Sequence, residues 1–422
     1  MIRAQFIPAH LAQDFCPPLP PAVGQTILVN SVAGLVDAVN SAASGTTVLV
    51  DDGVYPLNGA YLRLDTPGVS LRSASGNREA VVLDGNYLTT EIIQVAASDV
   101  TVADLTLREA YDHPIHVMSS TSAHTTGTLI YNVHIIDPGQ QAIKINPVDA
   151  SHFPDQGAIA CSRLELTDQG RPHIRDNCYT GGIDAHQARG WVVRDNAISG
   201  FWCSSGLSEH AIHFWRGSRD TVVERNRLLD NARGVGFGLA TSGPGRTYND
   251  NPCPGAAGSY VDHYGGVIYN NFISAAQADL FNSQSGFDCG ICLWNACLAQ
   301  ASHNSIFSTQ PPFSSIEWRF ANTQAEIANN MTSSIMRERD SASAVLSGNV
   351  TSAAVSWFVD ASGGNLHLVA SASQAIDSAS LLPAVSSDID GDPRPVGARA
   401  DVGADEFSPP TPLAFYLPVI AR

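Results

Sequence analysis

Five short segments of this chain repeat one pattern, and they limit what it can fold into more than any other feature. They read Ile115-His116-Val117-Met118, Ile143-Lys144-Ile145-Asn146, Ile183-Asp184-Ala185-His186, Ile212-His213-Phe214-Trp215 and Val235-Gly236-Phe237-Gly238. Apart from Met118, each alternates an apolar residue with a polar, aromatic or glycine residue, the period-2 signature of a half-buried strand. They begin at 115, 143, 183, 212 and 235, at steps of 28, 40, 29 and 23 residues. Strands recurring at such intervals mark a stacked repeat, in which each unit buries its apolar face against its neighbours. Stacked in parallel, neighbouring strands sit about 4.8 Å apart. His116, Lys144, Asp184 and His213 then form one outward column, closed by Gly236. Met118, Asn146, His186 and Trp215 form a second, closed by Gly238.

A second pattern runs half a coil away: Val193-Arg194-Asp195-Asn196-Ala197-Ile198, Val223-Glu224-Arg225-Asn226-Arg227-Leu228 and Ile268-Tyr269-Asn270-Asn271-Phe272-Ile273, with weaker copies at Asn304 and Asn330. Aligned asparagines at a turn suit a ladder in which each amide bonds the backbone one coil on. Two patterns of compatible spacing predict an all-β, single-stranded parallel β-helix. One amphipathic helix, Val32–Ala43, caps its start, and strands follow from Thr46 onward. The expected division is an extended Pro-rich segment over 1–24, the β-helix over 25–370, a C-terminal cap over 371–407, and a Pro-rich linker with an apolar tail over 408–422. Insertions at Pro147–Gly181 and Leu239–Gly265 leave the sheet beside the columns and are candidates to wall a cleft.

Charge narrows the partners. The chain carries 23 basic and 40 acidic residues, a net −17, which disfavours nucleic acid. Between Lys144 and Arg233, however, 11 basic residues balance 11 acidic ones, so the positive groups gather where the columns lie. No apolar run reaches the ~20 residues of a membrane span, and the residues after Met1-Ile2-Arg3 are broken by proline rather than forming the apolar core of a leader. Eight cysteines point to disulfides and an oxidising setting, secreted or at the cell surface. A Cys161–Cys178 staple is one pairing, and zinc at Cys289, Cys292 and Cys297 is the alternative use of the thiols.

These residues resemble the right-handed parallel β-helix proteins of the pectate-lyase-like superfamily. The opening from Ser31 to Tyr55 resembles that of chondroitinase B and alginate lyases, and Ile376 to Phe407 resembles the terminal module of bacterial surface β-helix proteins. The resemblance implies an extracellular carbohydrate-active protein, foremost a monomeric lyase acting on an anionic polysaccharide. In that branch a lysine base and an arginine occupy successive coils. Lys144, the only lysine, matches the base, whereas Asp184 stands where the arginine would be.

β-Elimination from a uronic acid needs a base for the proton next to the carboxylate, cations to neutralise that carboxylate, and an acid for the leaving oxygen. Lys144, Asp184, His186 and His213 are the expected catalytic group, with the Lys144 pKa expected to fall through burial. His116, Asn146, Arg171, Arg175, Glu209, His210, Trp215, Arg216 and Arg233 are the expected substrate-binding residues, the arginines for carboxylates and Trp215 for a sugar face. A hydrolase would need two carboxylates, with Asp184 joined by Glu209, Asp262 or Asp288. A metal at Asp184 and His186, joined by His213 with His116 or His210, is a further candidate, as is calcium, including at the aspartates of 388–406. Glycan binding without turnover is the non-enzymatic alternative.

Overall fold

The computed structural model describes residues 16–253, 256 and 260–409. Three parallel sheets run between Thr26 and Ser347: one of 14 strands and two of 10 strands, each built by strands that succeed one another from coil to coil. One turn of chain contributes one strand to each sheet, which makes the fold a parallel β-helix, right-handed as such crossovers are. Helix Val32–Ser41 covers the first coil, its N-terminus capped by the Ser31 hydroxyl accepting from Gly34 N–H, and Leu35, Ala38 and Val39 facing the core. A strand at Thr26–Val29, not anticipated from sequence, precedes the helix and pairs with Thr47–Val50.

The alternation of the five tetrapeptides explains their placement. Ile115, Ile143, Ile183, Ile212 and Val235, together with Val117, Ile145, Ala185, Phe214 and Phe237, are fully buried inside the coil. Each such large side chain contributes roughly 1.5–3 kcal/mol by leaving water. A one-residue slip would expose the whole set, so the register is fixed. His116 pairs with Lys144, Lys144 with Asp184, Asp184 with His213 and His213 with Gly236. The column does not end at Gly236, however. It continues through Cys292, Glu317 and Arg337 on one side and Gln94 and Arg63 on the other.

The asparagine ladder is present and longer than expected. Asn196, Asn226, Asn271, Asn304 and Asn330 each accept at Oδ1 from a backbone N–H of the preceding coil, and Asn349 adds a further rung. Their amide groups also bond one another, at 2.9–3.0 Å. The residue before each of the five rungs (Asp195, Arg225, Asn270, His303, Asn329) has φ between 50° and 58°, the left-handed conformation that turns the chain at that corner.

The two supposed insertions are only partly loops. Pro147–Gly181 contains strands Ala158–Ala160 and Arg163–Glu165, and Leu239–Gly265 contains His263–Tyr264, because each coil must still supply its other sheets. The disulfides are Cys16–Cys161, Cys178–Cys203, Cys253–Cys297 and Cys289–Cys292, so neither a Cys161–Cys178 staple nor a thiolate zinc site is formed. At the C-terminal end a second apolar cluster joins Trp357, Leu366, Ala375, Ile389 and Val402 to Phe272, Phe307 and Met331 of the coils. There Asp388 and Asp401 accept backbone N–H groups, and Arg394 pairs with Glu406 at 2.6 Å. These carboxylates therefore serve as turn caps. No helix among the described residues is long and apolar enough to cross a membrane. Residues 1–15 and the tail from 410 lie outside the described residues.

Candidate active site

The columns converge on Asp184. Its side chain is completely buried, and an isolated carboxylate there would be very costly. Lys144 Nζ donates to Oδ2, and Trp215 Nε1 donates to Oδ1 at 2.8 Å. His186 Nε2 lies 3.2 Å from Oδ2, and His213 Nδ1 lies 3.7 Å from Oδ1. Burial alone would raise the Asp184 pKa, but Lys144, His186 and His213 outweigh it and hold the carboxyl well below its usual range. Likewise burial alone would lower Lys144, yet Asp184 and then Tyr179 hold the ammonium above its usual range. The expected fall in the Lys144 pKa is thus overturned: its carboxylate partner one coil away wins over desolvation. At neutral pH Lys144 is a fixed cation.

His186 behaves oppositely. Burial is the largest influence on it and outweighs Asp184, so its pKa is pushed below the ordinary histidine range and the imidazole is neutral. Nε2 sits between Lys144 Nζ at 3.1 Å and Asp184 Oδ2 at 3.2 Å, while Nδ1 makes no hydrogen bond among the described residues. Tyr179 Oη accepts from Lys144 Nζ at 3.1 Å, and burial followed by Asp184 raises its pKa. Tyr179 had no counterpart in the sequence reading. It reaches the column because Cys178–Cys203 pins the end of the loop that carries it.

The expected binding residues divide sharply. His116 lies 2.7 Å from both Glu91 and Asn146, one coil to each side, and is partly exposed with Asn146. Glu91 was also unforeseen. Trp215 is engaged by a stacked His213 at 5.2 Å and carries the Arg216 guanidinium at 4.6 Å, so its face is not an open sugar platform. Arg216 forms no ion pair among the described residues, and it is partly exposed. The other arginines are committed elsewhere. Arg171 donates to the Gly200 and Trp202 carbonyls, Arg175 pairs with Asp112 at 2.6 Å, and Arg233 pairs with Asp288 at 2.8 Å. Each is taken by a carbonyl or carboxylate distant in sequence, and spacing alone cannot show this.

Asp184 and His186 do meet, but around the Lys144 ammonium, which takes the position a metal ion would need. Asp262, the other carboxylate considered, accepts from Leu239, Ala240 and Arg216 N–H groups. Glu209 and His210 instead cluster around His213, the next rung of the column.

No family model matches this chain, and no curated protein matches it in sequence. Among solved structures, a pectate lyase aligns over 88% of this chain and 90% of its own, with a TM-score of 0.51 and 14% identity. The two share the parallel β-helix fold. An alginate lyase from a Paenibacillus species (78% and 99% covered, TM-score 0.42, 12% identity) and a surface adhesin of Streptococcus pneumoniae (79% and 89%, TM-score 0.42, 12% identity) also align. At 14% identity the likeness to the pectate lyase bears on the architecture alone, and the chemistry has to come from the side chains.

Proposed function

We propose that this protein is an extracellular polysaccharide lyase that cleaves a uronic-acid polysaccharide by β-elimination at the accessible edge of the Asp184 column. The observation that carries this reading is a neutral imidazole, His186, whose Nε2 lies 3.2 Å from the buried Asp184 carboxylate. With Lys144 donating to Asp184 and Tyr179 and not to the ring, the His186 proton sits on Nε2 and is directed at Asp184, and Nδ1 presents a free lone pair, the arrangement in which a buried carboxylate fixes the tautomer of a histidine base. His186 then removes the proton next to the substrate carboxylate. The freed electron pair forms the new double bond as the bond to the glycosidic oxygen breaks. Tyr179, whose raised pKa keeps its O–H, protonates that oxygen. Lys144 and Arg216 neutralise the carboxylate as charge builds. The base role thus passes from Lys144 to His186.

The hydrolase reading is weaker, because Asp184 is buried in its ion pair and Glu209 is turned toward His213. Four disulfides favour an oxidising, extracellular setting. Incubation with a panel of uronic-acid and neutral glycans tests the proposal. Products bearing a new ultraviolet-absorbing double bond are expected from an acidic polymer, and His186→Ala should lower their rate by about 10²–10⁴-fold. Saturated reducing ends would replace the lyase reading with hydrolysis, and an unchanged but bound polymer would replace it with a binding role.

A further inference from the structure

At the His213 and Gly236 rungs of the column, four polar atoms that no hydrogen bond among the described residues reaches are buried together. They are Glu209 Oε2, both ring nitrogens of His210, and His213 Nδ1. His210 and His213 are completely buried, where an unpartnered polar atom is rare in native proteins. Glu209 Oε2 lies 3.0 Å from His213 Nδ1 and 3.9 Å from His210 Nδ1, yet the closer pair does not meet along a hydrogen-bond direction. The three side chains offer one ligand atom each within 4.8 Å of one another. Their positions are fixed from behind. His213 Nε2–H donates to the Gly238 carbonyl at 3.2 Å, which leaves Nδ1 directed to the cluster. His210 packs over Gly236, where a Cβ would meet its ring at 2.6 Å, so glycine at this rung of the column makes room for it.

The geometry points to a first-row divalent metal site, of the zinc class, formed by Glu209, His210 and His213. Two imidazole nitrogens and one carboxylate oxygen form a donor set that suits zinc and its neighbours, whereas calcium takes a shell of oxygens. A second-layer device of the usual kind is in place, because the far nitrogen of His213 is held by a backbone carbonyl. Glu209 retains 17% side-chain exposure, which supplies an entry path from the 203–209 loop. The site lies one rung on from Asp184, so a bound ion would fix the strand that carries Trp215 and its neighbour Arg216. This inference does not depend on the substrate or on the lyase chemistry.

The test uses the full chain, stripped with chelator, dialysed and titrated with zinc and with cobalt. One equivalent of zinc should bind and raise the melting temperature. Cobalt should give visible ligand-field bands without a sulfur-to-metal charge-transfer band. Glu209→Gln should weaken binding by about 100-fold or more, beyond the range that loss of a merely supporting partner costs. His213→Gln should act alike, and if that variant fails to fold, Glu209→Gln, altered at a partly exposed carboxylate, decides. Absence of stoichiometric binding would overturn the site. So would unchanged affinity in Glu209→Gln, or a sulfur band reporting ligation by reduced Cys289 and Cys292, which also border His210. Metal content is read apart from activity, so failure here and failure of the lyase reading are distinguishable.

Discussion

Two stacks of polar side chains rise through this molecule, one at the asparagine corner and one on the sheet that carries Asp184. In the first, each of the six rungs is the same residue, so every amide finds in the next coil the partner it offers to the previous one. In the second, each rung differs: an imidazole, an ammonium, a carboxylate and another imidazole. Identity between rungs lets a stack satisfy itself. Variety leaves charges to be balanced sideways by Tyr179, Trp215 and Glu91, and leaves nitrogens at His210 and His213 without a hydrogen bond among the described residues. The comparison separates a polar stack that satisfies itself from one whose groups depend on partners outside the stack.

Removing the hub of the mixed stack should have the largest effect on stability. Asp184→Ala strands the Lys144 ammonium in a buried site and is expected to cost about 3–5 kcal/mol in urea unfolding; a loss near zero would mean the column is solvated. Asn226→Ala breaks a rung that accepts from Asn196 and donates to Val193 and Asn271. It should cost roughly 2–3 kcal/mol, with the coils on both sides exchanging amide hydrogens faster. If the two losses came out in the reverse order, the self-satisfied stack would be the more demanding one.

Acid provides a sharper probe, because asparagine does not titrate but His303, the corner residue before rung Asn304, does. Burial, then Arg394, pushes its pKa to about 3. A histidine depressed in the folded state stabilises fully above its unfolded value and loses that contribution as pH falls toward the folded one. From its ordinary value near 6.5 down to pH 5 the loss is about 2 kcal/mol. His303→Asn, compatible with a left-handed backbone, should flatten the dependence of unfolding on pH over that window. An unchanged slope would place the acid sensitivity in the mixed stack. The smallest effect is expected from Arg216→Ala. It should leave stability within about 0.5 kcal/mol while raising KM for an acidic polymer, and an equal loss on neutral glycans would remove Arg216 from carboxylate recognition.

Much of this was legible in the sequence, for a physical reason. Parallel coils repeat one environment, so a period-2 tetrapeptide recurring from Ile115 to Gly238 fixes both the inward face and the order of the outward residues. That sufficed to bring Lys144, Asp184 and His213 into one column and Asn196 to Asn330 into another. It did not reveal what the connecting segments do. Tyr179 arrives from a loop whose course depends on Cys178 finding Cys203, 25 residues on. Arg171, Arg175 and Arg233 had the right charge and the right neighbourhood, but each was already claimed by a carbonyl or carboxylate far away in sequence. The protonation states of Lys144 and His186 also depended on such distant neighbours: Asp184 decides the first, and burial the second.

The cross-link from Cys16 to Cys161 bridges 145 positions and clamps the leading segment to the outside of a later coil. In a solenoid whose turns touch only adjacent turns, the free end is where peeling begins. Here the leading turns are strapped to one further in, so that end should detach as a single block when it detaches at all. A reducing agent alone, with no change in temperature or denaturant, should restore turn-by-turn fraying.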